Sequence, residues 1–130
     1  MRYIIIFTLI LVSIRCGNDL LHVKAVTIPE LYNNIKQNNV SSLVLLNIWS
    51  TSCIPCIEEF PYIVKLKERY DINKLDVVFL STDWEENTAD VENFLWNQKV
   101  RGQHYRKIEG NSQEFIDDIC FVAILDVALG

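Results

Sequence analysis

The sequence predicts an α/β fold, a sheet whose strands are joined by crossover helices. Two observations concern strands: Leu43–Trp49 is a continuous apolar run of strand length, the pattern of a strand buried on both faces, and Leu75–Ser81 (Leu-Asp-Val-Val-Phe-Leu-Ser) reads as a second buried strand. The third concerns what joins them. Between Cys53 and Tyr70 the apolar residues recur at helical spacing, with Ile57, Phe60 and Val64 on one stripe, Ile63, Leu66 and Tyr70 beside it, and Glu58, Lys65, Glu68 and Arg69 turned to water. Strands alternating with helices in this order are the signature of parallel pairing.

The elements follow in chain order. Met1-Arg2-Tyr3 is a short positive start, and an apolar run extends from Ile4 to Ile14. Eleven helical residues cover about 16 Å, roughly half of the hydrocarbon thickness a membrane span must cross. That length suits the apolar core of an export signal, so residues 1–16 are expected to be one; the alternative is a buried strand or helix of the fold. Cys16 stands where a lipoprotein-type signal places its lipid-modified cysteine, although Arg15 occupies a position where such signals want a small residue. Residues 17–26 read as a linker and residues 27–130 as the folded domain.

Thr27-Ile28-Pro29-Glu30 opens a helix, with Thr27 as cap and Pro29 in the first turn, where a missing N–H costs little. Leu31 and Ile35 share a face of it, and Asn38-Asn39 ends it. Residues 42–49 are expected to form the central strand. Pro61 lies inside the next helix and is expected to kink it. After the 75–81 strand, a helix is expected near residues 86–99, with Val91, Phe94 and Leu95 inward. A short strand near residues 104–108, a capping box at Asn111-Ser112-Gln113-Glu114 and an apolar strand at residues 120–125 complete the chain.

Composition narrows the function. At 130 residues the chain suffices for one domain with a real core. Half of the residues are apolar and 22% are charged, a globular rather than a disordered balance. Twelve Lys+Arg against 17 Asp+Glu leave a formal charge of −5, and no Lys/Arg cluster offers a basic face for phosphates. Nucleic acid is therefore excluded as an expected partner.

The chemistry concentrates in Trp49-Ser50-Thr51-Ser52-Cys53-Ile54-Pro55-Cys56, where a buried strand runs into a helix. Two cysteines at that spacing in the first helical turn can close a small disulfide ring. Cys53, at the amino end, lies near unpaired backbone N–H groups and the positive end of the helix dipole, both of which favour a thiolate. Cys56 is drawn into the helix and shielded until Cys53 has formed a mixed disulfide, which makes a nucleophile and a resolving thiol. Pro55 stiffens the ring without removing a needed donor. The competing readings are half of a zinc site and a pair of inert structural thiols. Zinc needs two more ligands, and the chain offers only Cys16, Cys120, His22 and His104, none in a second paired motif.

Val44-Leu45-Leu46-Asn47-Ile48-Trp49, then Cys53-Ile54-Pro55-Cys56, then Glu58-Glu59-Phe60-Pro61 resembles the thioredoxin-like superfamily, and within it the exported TlpA/ResA-like thiol-disulfide oxidoreductases. The resemblance is specific from about residue 43 to residue 70 and looser over Val77–Asp83. It implies a thioredoxin-like three-layer sandwich around a central mixed sheet. It also implies catalytic roles for Cys53 and Cys56, with Asn47, Trp49 and Pro55 in support. Asn47 takes the place of a buried Asp in cytosolic thioredoxins. The implied partners are exported thiol or disulfide proteins and a redox partner protein, with the N-terminus as a membrane attachment. Thiol exchange requires no bound cofactor or metal, and none is expected.

Three departures from that family stand out. Ser52 replaces the Trp that usually precedes the first cysteine, and no proline follows Pro61 to supply the family's cis-proline loop. If Ile124-Leu125-Asp126 matches the strand after that loop, Cys120 falls where the cis-proline should be, as a third thiol near the site. Gly130 then ends the chain before the family's last strand and helix, so the C-terminal end is expected to be truncated or divergent. The rival functions are a copper carrier holding Cu(I) through Cys53 and Cys56, with His104 or Cys120 as third ligand, and an inactive scaffold that keeps the motif alone. Glu58 and Glu59 read as dipole partners on a solvated face, His22 and His104 have no evident partner, and Trp84 and Trp96 read as core or surface anchors.

Overall fold

The computed structural model describes residues 22–41, 43–70, 74–108 and 113–117. Four strands, β1 (Lys24–Val26), β2 (Leu43–Trp49), β3 (Leu75–Ser81) and β4 (His104–Lys107), form one sheet in the order β1-β4-β3-β2. Three helices connect them, α1 (Ile28–Asn38), α2 (Ile54–Arg69) and α3 (Thr88–Asn97), and α3 is preceded by a 3-10 turn over Glu85–Asn87. Residues 113–117 are also helical.

Helix α1 starts at a complete capping box. The Thr27 hydroxyl accepts the Glu30 N–H at 3.4 Å, and the Glu30 carboxylate accepts the Thr27 N–H at 2.8 Å, so two donors that the helix start leaves unpaired are satisfied reciprocally. Helix α2 runs through Pro61 as one element, which leaves the Ile57 carbonyl without its usual i+4 donor. Alternation along β3 sends Val77 and Phe79 to one face and Val78 and Leu80 to the other. The first face holds Trp49, Phe60, Val91 and Leu95, and so receives α2 and α3; the second holds Val26, Leu31 and Tyr105, and so receives α1.

Two expectations are corrected. Residues 24–26, read as the end of a linker, form β1, which pairs with β4 in register Lys24↔Tyr105 to Val26↔Lys107, with Val26 fully buried. A three-residue strand is too short to show a period, so its sequence gave no sign of it. The expected central strand, β2, lies at the edge of the described sheet, with Leu43 and Val44 exposed, and the centre passes to β3, where residues 76–81 are buried. Every described pairing is parallel. The strand expected at residues 120–125 lies outside the described residues, as do residues 1–21 with Cys16.

Candidate active site at the β2–α2 turn

Because the strands are parallel, their carboxyl ends share one edge of the sheet, where α/β folds place their sites. The turn after β2 lies on that edge. Cys53 and Cys56 are joined there by a disulfide with Cα atoms 5.2 Å apart. Cys53 is the N-cap of α2 and makes no side-chain capping hydrogen bond, while its carbonyl accepts the Ile57 N–H at 3.0 Å and begins the helix. Cys56, one turn in, packs against the buried cluster of Trp49, Phe60 and Phe79. Both residues are half-buried, but their surroundings differ: Cys53 belongs to the helix start and Cys56 lies against the core cluster. Between them Ile54 is 71% exposed and Pro55 is also exposed, so the ring lies open to a partner.

An N-cap side chain accepts from the N–H of the second or third helical residue. Pro55 is the second and has none, so the Cys56 N–H is the donor left for a Cys53 thiolate once the disulfide opens. That donor and the helix dipole both favour the anion.

The support residues fall as follows. Trp49 is buried beneath the turn, with its ring against Phe60 and Phe94, each at a centroid distance of 4.9 Å. Asn47 lies between Trp49 and Leu45 on the α2 face of β2, by strand alternation. The Asn47 Oδ1 and the Trp49 Nε1 are buried with no hydrogen-bond partner among the described residues. Glu58 and Glu59 are exposed. Trp84 is half exposed, with the Lys107 ammonium 4.2 Å from its ring centroid, and Trp96 is exposed. His22 is exposed, with its Nδ1 3.5 Å from Glu92.

His104 is not brought to the cysteines. It starts β4 opposite Phe79, and among the described residues no three His, Cys, Asp or Glu side chains are grouped as metal ligands. The His104 version of the copper site is thus corrected, because the β4 register carries that imidazole away from the β2–α2 turn. Cys120 lies outside the described residues.

Sequence reading missed Asp83. This buried residue follows β3, and its carboxylate accepts the Thr51 N–H at 2.9 and 3.2 Å, the Thr51 hydroxyl at 2.5 Å and the Ser81 hydroxyl at 2.7 Å. The Trp49 carbonyl beside it accepts the Thr82 N–H at 2.9 Å. The available signal was Ser81-Thr82-Asp83, three polar residues closing an apolar strand at the edge where parallel sheets carry their sites.

Fold and site together define a parallel α/β chain with a four-residue disulfide ring at a strand-to-helix junction. No family model and no curated protein matches it. Among solved structures the chain is similar to the solution structure of a Bacteroides vulgatus protein provisionally named a thiol-disulfide oxidoreductase, at 28% identity and a TM-score of 0.45. The match covers 57% of this chain and 46% of that one, so the chain spans about half the length of the protein it resembles.

Proposed function

We propose that the chain is a thiol-disulfide oxidoreductase of the thioredoxin-like type, in the TlpA/ResA-like branch, with helices layered on both sides of its sheet. The observation that supports it most is the disulfide between Cys53 at the N-cap of α2 and Cys56, which packs against the core cluster from the first turn. In the reducing direction, the Cys53 thiolate attacks one sulfur of a partner disulfide and the partner's other sulfur leaves as a thiolate. Cys56 then loses its proton to water and attacks the Cys53 sulfur. The Cys53–Cys56 disulfide forms, the partner's second thiolate is released, and two electrons have passed to the partner. The oxidising direction is the same sequence reversed, starting from a partner thiolate attacking Cys53.

The partners proposed are exported thiol or disulfide proteins and a second redox protein that resets the pair. Export rests on Arg2 and the apolar run Ile4–Ile14, and attachment to the membrane rests on Cys16.

Trapping tests the role split. Cys56→Ser should accumulate mixed disulfides with partners, and Cys53→Ser should accumulate almost none; equal trapping by both variants would overturn the assignment. Fractionation tests the address, since full-length protein found in the cytoplasm would contradict export. If Cys16 is the tether, Cys16→Ala moves the protein from the membrane to the soluble exported fraction.

A further inference from the structure

We infer that Asp83 is a positioning residue for the redox pair: it clamps Thr51 and thereby holds Cys53 over the start of α2. This rests on the redox reading of the Cys53–Cys56 ring. A carboxylate that is 4% exposed has to be satisfied by the protein, and Asp83 spends its acceptors on the turn. One Thr51 residue supplies both a backbone and a hydroxyl donor, at 2.9 and 2.5 Å. Ser81 supplies the other hydroxyl at 2.7 Å and accepts the Asp83 N–H at 3.0 Å, which fixes the direction of the carboxylate.

The clamp extends the β2–β3 ladder past its last strand pair, Trp49↔Ser81. Thr82 bonds the Trp49 carbonyl through its N–H at 2.9 Å and its hydroxyl at 3.3 Å, and Asp83 then takes Thr51. Only Ser52 separates Thr51 from Cys53, and the Cys53 N–H closes back on the Ser50 carbonyl at 3.2 Å. A shift of Thr51 is therefore passed directly to Cys53.

That matters because the Cys53 thiolate has a single capping donor, the Cys56 N–H, with Pro55 unable to provide a second. A hydrogen bond weakens steeply once its angle falls away, so the thiolate depends on a turn held in place. Asp83 does not touch the reacting sulfurs; it acts through Thr51.

The test is the pH dependence of Cys53 alkylation by iodoacetamide in the reduced full-length protein, followed by mass at the Cys53 peptide. Asp83→Ala should slow alkylation at pH 7 by about tenfold, with the midpoint displaced upward by about one pH unit. Asp83→Asn keeps an acceptor for Thr51 and should restore the midpoint to the wild-type value or below it, because the negative charge is gone. Thr51→Val, which removes only the hydroxyl donor, should give a smaller upward displacement, and it bears the test alone if Asp83→Ala does not fold. A wild-type midpoint in folded Asp83→Ala or in Thr51→Val overturns the inference, as does an equal displacement in Asp83→Ala and Asp83→Asn. Alkylation needs no partner protein, so failure of mixed-disulfide trapping in Cys56→Ser counts against the redox reading and leaves this result separate.

Discussion

The Trp49 indole meets the Phe60 ring edge-on, with centroids 4.9 Å apart and planes at 66°. The last residue of the strand before the cysteines is thereby fixed to the helix that follows them. Phe60 also stacks on Phe79 of β3 and meets Phe94 of α3 edge-on, so one side chain joins four elements. Phe60 is 1% exposed, and Phe60→Ala should cost about 3–5 kcal/mol through lost transfer energy and the cavity left behind. The midpoint of urea unfolding of the oxidised protein measures it; a loss below about 1 kcal/mol would mean that the aromatic cluster is not what joins α2 to the sheet.

Lys67 on α2 pairs with Asp76 on β3 beneath the helix, with side chains 14% and 7% exposed. The Lys67 ammonium also donates to the Val77 carbonyl at 2.9 Å, and Asp76 accepts the Val77 N–H at 2.8 Å. Lys67→Met strands a buried carboxylate and should destabilise by about 3–5 kcal/mol, whereas the double variant Lys67→Met/Asp76→Leu should return close to wild type. Chemical denaturation of both variants decides the matter, and a double variant no better than the single one would refute the pairing.

The burial of His104 sets the sign of one pH dependence. Burial, aided by the Lys67 charge, pushes its imidazole pKa below the ordinary value of 6.5. The unfolded chain takes up that proton first as the pH falls, so stability is full above 6.5 and declines until the pH passes the lowered folded value. His104→Gln should flatten the decline in urea midpoint between about pH 7.5 and pH 5. An unchanged slope would assign the acid sensitivity elsewhere.

The capping box of α1 makes a milder and separable prediction. Thr27→Ala should cost about 1 kcal/mol at neutral pH. The Glu30 carboxylate is held below its ordinary value of 4.5, first by the Thr27 backbone N–H and then by the Thr27 hydroxyl. Its contribution is complete above 4.5 and disappears as the pH falls through the lowered folded value, so the gap between wild type and Thr27→Ala should narrow in acid. Thermal unfolding at several pH values would show it, and a gap that widens in acid would contradict the box.

Much of this architecture could be read from local signals. Thr27 and Glu30 stand at the spacing of a reciprocal cap, the strand Leu75–Ser81 shows in its apolar stretch from Val77 to Leu80, and Val91 and Leu95 share the buried face of α3. Cys53 and Cys56 were visible because a strand-to-helix junction and a two-residue gap are both short-range features. What stayed hidden is long-range. Nothing near Lys24 indicates a partner at Tyr105, and an apolar run such as Leu43–Trp49 marks a strand without saying how many strands flank it or how far it is covered. Asp83 and Thr51 lie 32 positions apart, and their pairing has no periodicity to betray it.

The register of the sheet also sets an order of assembly. β2, α2 and β3 are consecutive, and they contain both cysteines together with Trp49 and Phe60; the clamp at Asp83 follows two residues after β3. Closing the sheet, by contrast, requires Lys24 to find Tyr105, the most distant strand partners described. Loop-closure entropy makes the nearer pairing the earlier one. A growing chain that has reached Asp83 therefore already carries both cysteines and the Thr51 clamp of the β2–α2 turn, and its sulfurs can meet while the partner strand of β1 is still being synthesised.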